Sequence, residues 1–189
     1  MDSSAIAIIG VLLLLLIVIL YYNLIVARKN EVERAWASVI TYERQKNQTI
    51  PKLESISADF KEYEQGLQTR IVMLRNAVAA LDPQRVGETD ALAEVERATR
   101  SLLGNLKVAV EAYPAVTAAG VVRNLMAEIA RQQENIAAAI VIFNRAVERH
   151  NNCIEQFPGA MVNAALNHRS RISPFHDSAA SAGFEYKLP

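Results

Sequence analysis

The chain is 189 residues long and carries 20 Lys and Arg against 20 Asp and Glu, so its formal charge is zero. All the bases, and every acid except Asp2, lie after an amino-terminal apolar run, and so even a balance leaves no concentrated basic face for nucleic acid. A single cysteine, Cys153, excludes an intrachain disulfide framework and suits a reducing compartment.

The first element is the uncharged apolar stretch from Ala5 to Ala27. At 1.5 Å per residue it spans about 34 Å, enough for a hydrocarbon core of about 30 Å with modest tilt. Met1 to Ser4 hold no Lys or Arg, and Tyr21, Tyr22 and Asn23 stand where a signal peptide would need a small-residue cleavage site. The stretch therefore reads as a transmembrane helix (5–27) behind a short external terminus (1–4). Arg28, Lys29, Arg34, Arg44 and Lys46 follow it and none precedes it, which places the amino terminus outside and the rest in the cytoplasm. Tyr21 and Tyr22 fall where aromatic side chains settle at a membrane interface.

Only seven Gly and six Pro punctuate the chain, and abundant Ala, Leu, Glu, Gln and Arg favour helix nearly throughout. Val32, Ala35, Trp36 and Val39 recur at three- and four-residue steps, with Trp36 placed to pack inside a bundle. The face turns polar from Thr41 to Thr49, and Pro51 would clash with the carbonyl of Asn47 inside a helix. Beyond it Leu53, Ile56, Phe60, Tyr63, Leu67, Ile71, Leu74, Val78 and Leu81 continue the stripe. The expectation is one helix over 30–81, kinked near Pro51.

Asp82-Pro83 ends that helix, Gly87 lies in the following turn, and Thr89 suits an N-cap. A helix over 89–112 carries a stripe of Leu92, Val95, Thr99, Leu102, Leu106, Ala109 and Tyr113, stopped at Pro114. The last helix, 121–157, is the most regular: Val122, Leu125, Ile129, Gln132, Ile136, Ile140, Phe143, Val147, His150, Ile154 and Phe157 hold register until Pro158-Gly159. Such spacing implies packing near +20° between long helices. The fold class is all-α: a transmembrane helix continuing into a long-helix antiparallel bundle (28–158) with coiled-coil-like packing. Residues 159–189 read as a C-terminal tail, with a short amphipathic helix from Ala160 to Asn167 and a mobile remainder.

The stretch Tyr22-Asn23-Leu24-Ile25-Val26-Ala27-Arg28-Lys29-Asn30, then Ala35-Trp36 and Ile50-Pro51 with Leu53, resembles the LemA family of bacterial membrane proteins. Val110-Glu111-Ala112-Tyr113-Pro114, Asn124-Leu125, Glu134-Asn135-Ile136-Ala137, Phe143-Asn144, Asn151, Ile154 and Phe157-Pro158 extend the likeness in the same order. It covers roughly residues 20–160. The resemblance implies a single-span, helix-rich protein of the bacterial inner membrane, with no established enzymatic activity and no catalytic residues to carry over. The chain departs from the family pattern at Pro51-Lys52-Leu53-Glu54, at Glu43-Arg44-Gln45-Lys46, and after Phe157-Pro158, where Asn167-His168-Arg169 stands.

No catalytic, cofactor or metal site emerges from the residues. His150 and Cys153 share a helix face and offer two ligands where a stable zinc site wants four; His150 reads instead as a seam residue with a hydrogen-bond partner. His168 and His176 have no partner at ligand spacing, and nothing marks Cys153 as an activated nucleophile. Glu43, Glu128, Glu134, Glu148 and Glu155 lie on long helices, but none is followed three residues later by the His that di-iron bundles use. Phosphate loops and dinucleotide fingerprints are absent. Asn30, Asn144, Asn151 and Gln132 are amides of the kind that fix register when buried.

The expectation is a non-enzymatic, membrane-anchored scaffold that binds the lipid bilayer and self-associates through its long helices, with no nucleic acid or small-molecule substrate. An adaptor that recruits another membrane protein, such as a protease or signalling component, is the alternative. A metal-dependent enzyme, resting on His150 and Cys153 alone, is the third.

Overall fold

The computed structural model describes residues 3–57, 64–112 and 118–176. Helix α1 runs unbroken from Ser3 to Asn47, about 68 Å, and its two halves have opposite surroundings. Leu12 to Leu16 are 51–62 % exposed, whereas Ile25, Val32, Trp36, Val39 and Ile40 are buried. The first half is long and apolar enough to cross a membrane, and the most apolar part of it is not covered by any of the described protein.

After Asn47 the chain makes one tight turn, with the amides of Gln48 and Thr49 bonded to the carbonyls of Gln45 and Lys46, each at 3.1 Å. Helix α2 (Ile50–Ser57) then restarts with Pro51 in its first turn, where a missing N–H leaves no helical bond unmade. Helix α3 (Glu64–Ala79) doubles back. Arg75 pairs with Glu54 of α2 at 2.7 Å, and Arg44 of α1 donates to the Leu81 carbonyl at 3.2 Å. The single kinked helix over 30–81 is therefore corrected to three helices with a reversal between α2 and α3. That reversal, with Phe60 and Tyr63, lies outside the described residues. The stripe stayed in phase across it because both arms face one core: Leu53, Leu67, Ile71, Leu74, Val78 and Leu81 are all buried.

Helix α4 (Thr89–Ala112) opens with Asp90 in its first turn and buries Leu92, Val95, Leu102 and Leu106. Helix α5 (Ala118–Glu155) is about 57 Å long and antiparallel to α1. Three contacts set their register: Lys46 with Gln133, Trp36 with Phe143, and Glu31 with Arg149. Trp36 is fully buried, its ring 5.1 Å from that of Phe143 and its Nε1 donating to the Asp82 carbonyl at 3.2 Å.

The domain thus has two levels. The upper level is a four-helix bundle of the end of α1 with α2, then α3, α4 and the first half of α5. Below Trp36, among the described helices, only α1 and α5 continue, as a two-helix stem toward the apolar run. At its foot lie α6 (Gly159–Val162) and one π-helical turn, Asn163–Asn167.

Candidate functional site

The stem is covered by the chain's own carboxy-terminal segment. Beyond the π-helical turn the chain reverses at His168 (φ 49°), and residues 169–176 run back along α5 as a non-helical segment antiparallel to it. Three asparagine side chains hold them in the same way, each amide donating to a backbone carbonyl and accepting from the N–H of that same residue. Asn163 holds Arg169 (3.0 and 2.8 Å), Asn151 holds Ile172 (2.9 and 3.0 Å), and Asn144 holds Phe175 (2.9 and 2.8 Å).

Geometry explains why the set fits. The held residues recur every third position, the repeat of a polyproline II ribbon, which has no internal hydrogen bonds and leaves its backbone free to pair. Asn144 and Asn151 are two helical turns apart, about 10.5 Å, and three residues of extended chain cover about 9–10 Å. The side chains of the segment finish the core. Phe175 is buried with the main cluster, and Ile172 packs against it. Ile172 passes over Gly87, which has φ +83°; a Cβ there would lie 3.0 Å from the Ile172 Cγ2. Glycine is needed twice at that position, for the left-handed turn and for the close approach.

Residues 168–176 are therefore not the mobile tail expected from their small and polar composition. What composition could not weigh is a pre-aligned row of amides on α5 and the turn after α6. Asn144 and Asn151 do act as register-fixing amides, but toward this segment rather than across a helix seam. Their seven-residue spacing, with Ile172 and Phe175 three apart downstream, was the available signal. Residues 177–189 lie outside the described residues. Asn30 is exposed, and Gln132 is half-buried and donates to Glu128 at 3.1 Å.

The upper bundle holds a polar knot of its own. Lys46 is fully buried, its Nζ 2.6 Å from Glu43 Oε2, and it donates to Thr99 Oγ1 at 3.0 Å and Gln133 Oε1 at 3.1 Å. One ammonium thus ties α1 to α4 and α5. Glu43 is equally buried and its Oε1 has no hydrogen-bond partner, so burial pushes its carboxyl above the usual range while Lys46 pulls it down.

The other residues singled out in the sequence are dispersed. His150 is buried against the backbone of Ser170, with Nδ1 unpartnered. Burial lowers its pKa, the Ser170 hydrogen bond opposes this, and the charges of Arg169 and Lys29 lower it further. Cys153 is half-buried and lines a different hollow; burial pushes its thiol up, with Arg28 pulling the other way. His150 and His168 share a cavity with Glu33, which Lys29 pairs, and with Arg85 and Arg169, so the cations outnumber the one carboxylate and oppose a metal cation. His176 is exposed near Asn144. Glu128 pairs with Arg131 and Glu155 with Arg171 (3.3 Å), while Glu134 is exposed and Glu148 lines the hollow beside the returning segment. Among the described residues no three His, Cys, Asp or Glu side chains gather as metal ligands would.

A family model described as the LemA family matches residues 35–182. The chain belongs to the LemA family. The match takes in the four-helix level, the α5 arm of the stem and the returning segment, so in this LemA-family chain it reaches past the point where the sequence likeness fades. The apolar half of α1 lies ahead of it. No curated protein and no solved structure matches the chain.

Proposed function

We propose that this LemA-family chain is a non-enzymatic scaffold of the bacterial inner membrane that associates with copies of itself. One observation carries the reading: a single helix, Ser3–Asn47, is bare and apolar in its first half and forms the core of a folded bundle in its second. A helix of that kind transmits position from bilayer to bundle, because no linker intervenes. The Arg and Lys residues after the apolar half support a cytoplasmic bundle and an outside amino terminus. Self-association draws support from the outer face of α5, where Ala137, Ala138, Val141 and Ile142 are exposed together and small side chains allow close approach.

Single cysteines placed by Ser4→Cys and Ser38→Cys, each in a Cys153→Ala background, test the anchoring. A membrane-impermeant maleimide applied to intact cells is expected to label position 4 and to reach position 38 only after lysis. Labelling at 38 in intact cells would reverse the topology. Native mass spectrometry of the full-length protein in detergent tests the association: oligomers are expected at micromolar concentration, and a pure monomer, or a stoichiometric foreign partner in their place, would shift the reading to an adaptor.

A further inference from the structure

We propose that α6 and the turn that follows form a second membrane contact, an apolar foot seated in the headgroup and acyl boundary beside the span. The inference rests on the anchored reading of the apolar run.

Height is the first argument. Gly159 sits against Tyr21, where a Cβ would lie 3.6 Å from the ring Cδ1. Val162 packs with Ile25 and Ile154, and Asn167 Nδ2 reaches the Tyr22 carbonyl at 3.5 Å. The foot therefore lies beside residues 21–25, before Arg28 and inside the apolar run that ends at Ala27. With that run embedded to its end, whatever packs against residues 21–25 enters the interface as well.

Chemistry is the second. From Gln156 to Asn167 the chain has no Lys, Arg, His, Asp or Glu, although Glu155 precedes this stretch and His168-Arg169 follows it. Three large apolar side chains on it are left bare: Phe157 at 81 %, Met161 at 66 % and Leu166 at 52 % exposed. Water would be an unfavourable surrounding for three such side chains on one short uncharged stretch, whereas an acyl boundary suits them. Phe157 lines the same hollow as Tyr21, Leu24 and Arg28, so its neighbours are interfacial aromatic, aliphatic and basic groups.

The foot gives the scaffold something a lone span lacks. One helix through a bilayer leaves rotation about its own axis free, whereas a second contact on one side of it fixes which face of the stem looks down.

Spin labels at Leu14→Cys, Met161→Cys and Ser38→Cys, each in the full-length Cys153→Ala chain reconstituted in phosphatidylcholine–phosphatidylglycerol vesicles, test the proposal through collision with oxygen and with a water-soluble nickel chelate. The oxygen-to-nickel ratio is expected to be highest at 14, intermediate at 161 and several-fold lower at 38, with 161 about 5–10 Å deep. A ratio at 161 equal to that at 38, with 14 still in lipid, would overturn the foot and leave the anchor standing. An aqueous signal at 14 would overturn both.

Discussion

The two levels of the domain solve one problem with different materials. In the upper level, four helices supply enough apolar surface to enclose a core, and the buried Lys46 is held by Glu43 of its own helix and by Thr99 and Gln133 of neighbouring ones. In the stem, two helices cannot surround their own seam. A returning segment completes it, its backbone held by the side chains of Asn144, Asn151 and Asn163. A bundle that narrows toward its apolar run thus trades helix packing for hydrogen bonds from asparagine side chains to main chain. The two levels should therefore fail separately and under different insults.

The largest effect is expected from breaking the knot. Lys46→Met leaves Glu43 buried without its counter-charge and should cost about 3–5 kcal/mol, read as a fall in the urea midpoint of the full-length protein in detergent. Adding Glu43→Gln should restore most of that loss, since a neutral pair replaces an orphaned charge. A single variant that unfolds like the parent would show that the ion pair does not hold the upper level together.

Next in size is the stem. Asn151→Ala leaves the N–H and carbonyl of Ile172 without partners, a cost of about 1–3 kcal/mol. Because about 1.4 kcal/mol is tenfold in an equilibrium, amide exchange across residues 168–176 should speed roughly tenfold to a hundredfold while α3 and α4 keep their protection. Parental exchange in the segment would contradict the clamp.

Acid is expected to give the smallest effect and the most telling one, because the two levels respond with opposite sign. His150 has a lowered pKa in the closed stem, so as pH falls through about 6.5 the opened state binds its proton first. Closure of residues 168–176 is favoured above that value and weakens below it. Glu43 has a raised pKa, so as pH falls toward 4.5 the folded bundle takes up the proton first and acid favours the upper level. Exchange rates corrected for intrinsic pH dependence should separate the two regions, and His150→Asn should flatten the response of the segment alone. A uniform acid response across both levels would refute the assignment.

The sequence reveals the elements more readily than the way they meet. Hydropathy marks the apolar half of α1, and three- and four-residue steps mark the stripe of α5, because both signals are local. The reversal after α2 escapes the same reading, since a stripe facing one core keeps its phase on both arms and Leu53 and Leu67 look like neighbours on one helix. Lys46 is misleading for a related reason: its charge suggests solvent, and only the partners supplied by α4 and α5 allow its burial. The returning segment is hardest to see. Arg169, Ile172 and Phe175 are held by their backbones, and a backbone has no letter in the sequence.

The proposed scaffold requires copies of the chain to meet both at the bundle and in the bilayer. Single cysteines introduced as Ala138→Cys on the bare face of α5 and Gly10→Cys in the apolar half of α1, each in a Cys153→Ala background, allow disulfide crosslinking in native membranes. Covalent dimers, the largest species one thiol per chain can give, are expected at both positions, because one unbroken helix links the bundle to the apolar run. Monomer alone at both positions, under conditions that oxidise a control membrane dimer, would contradict the scaffold.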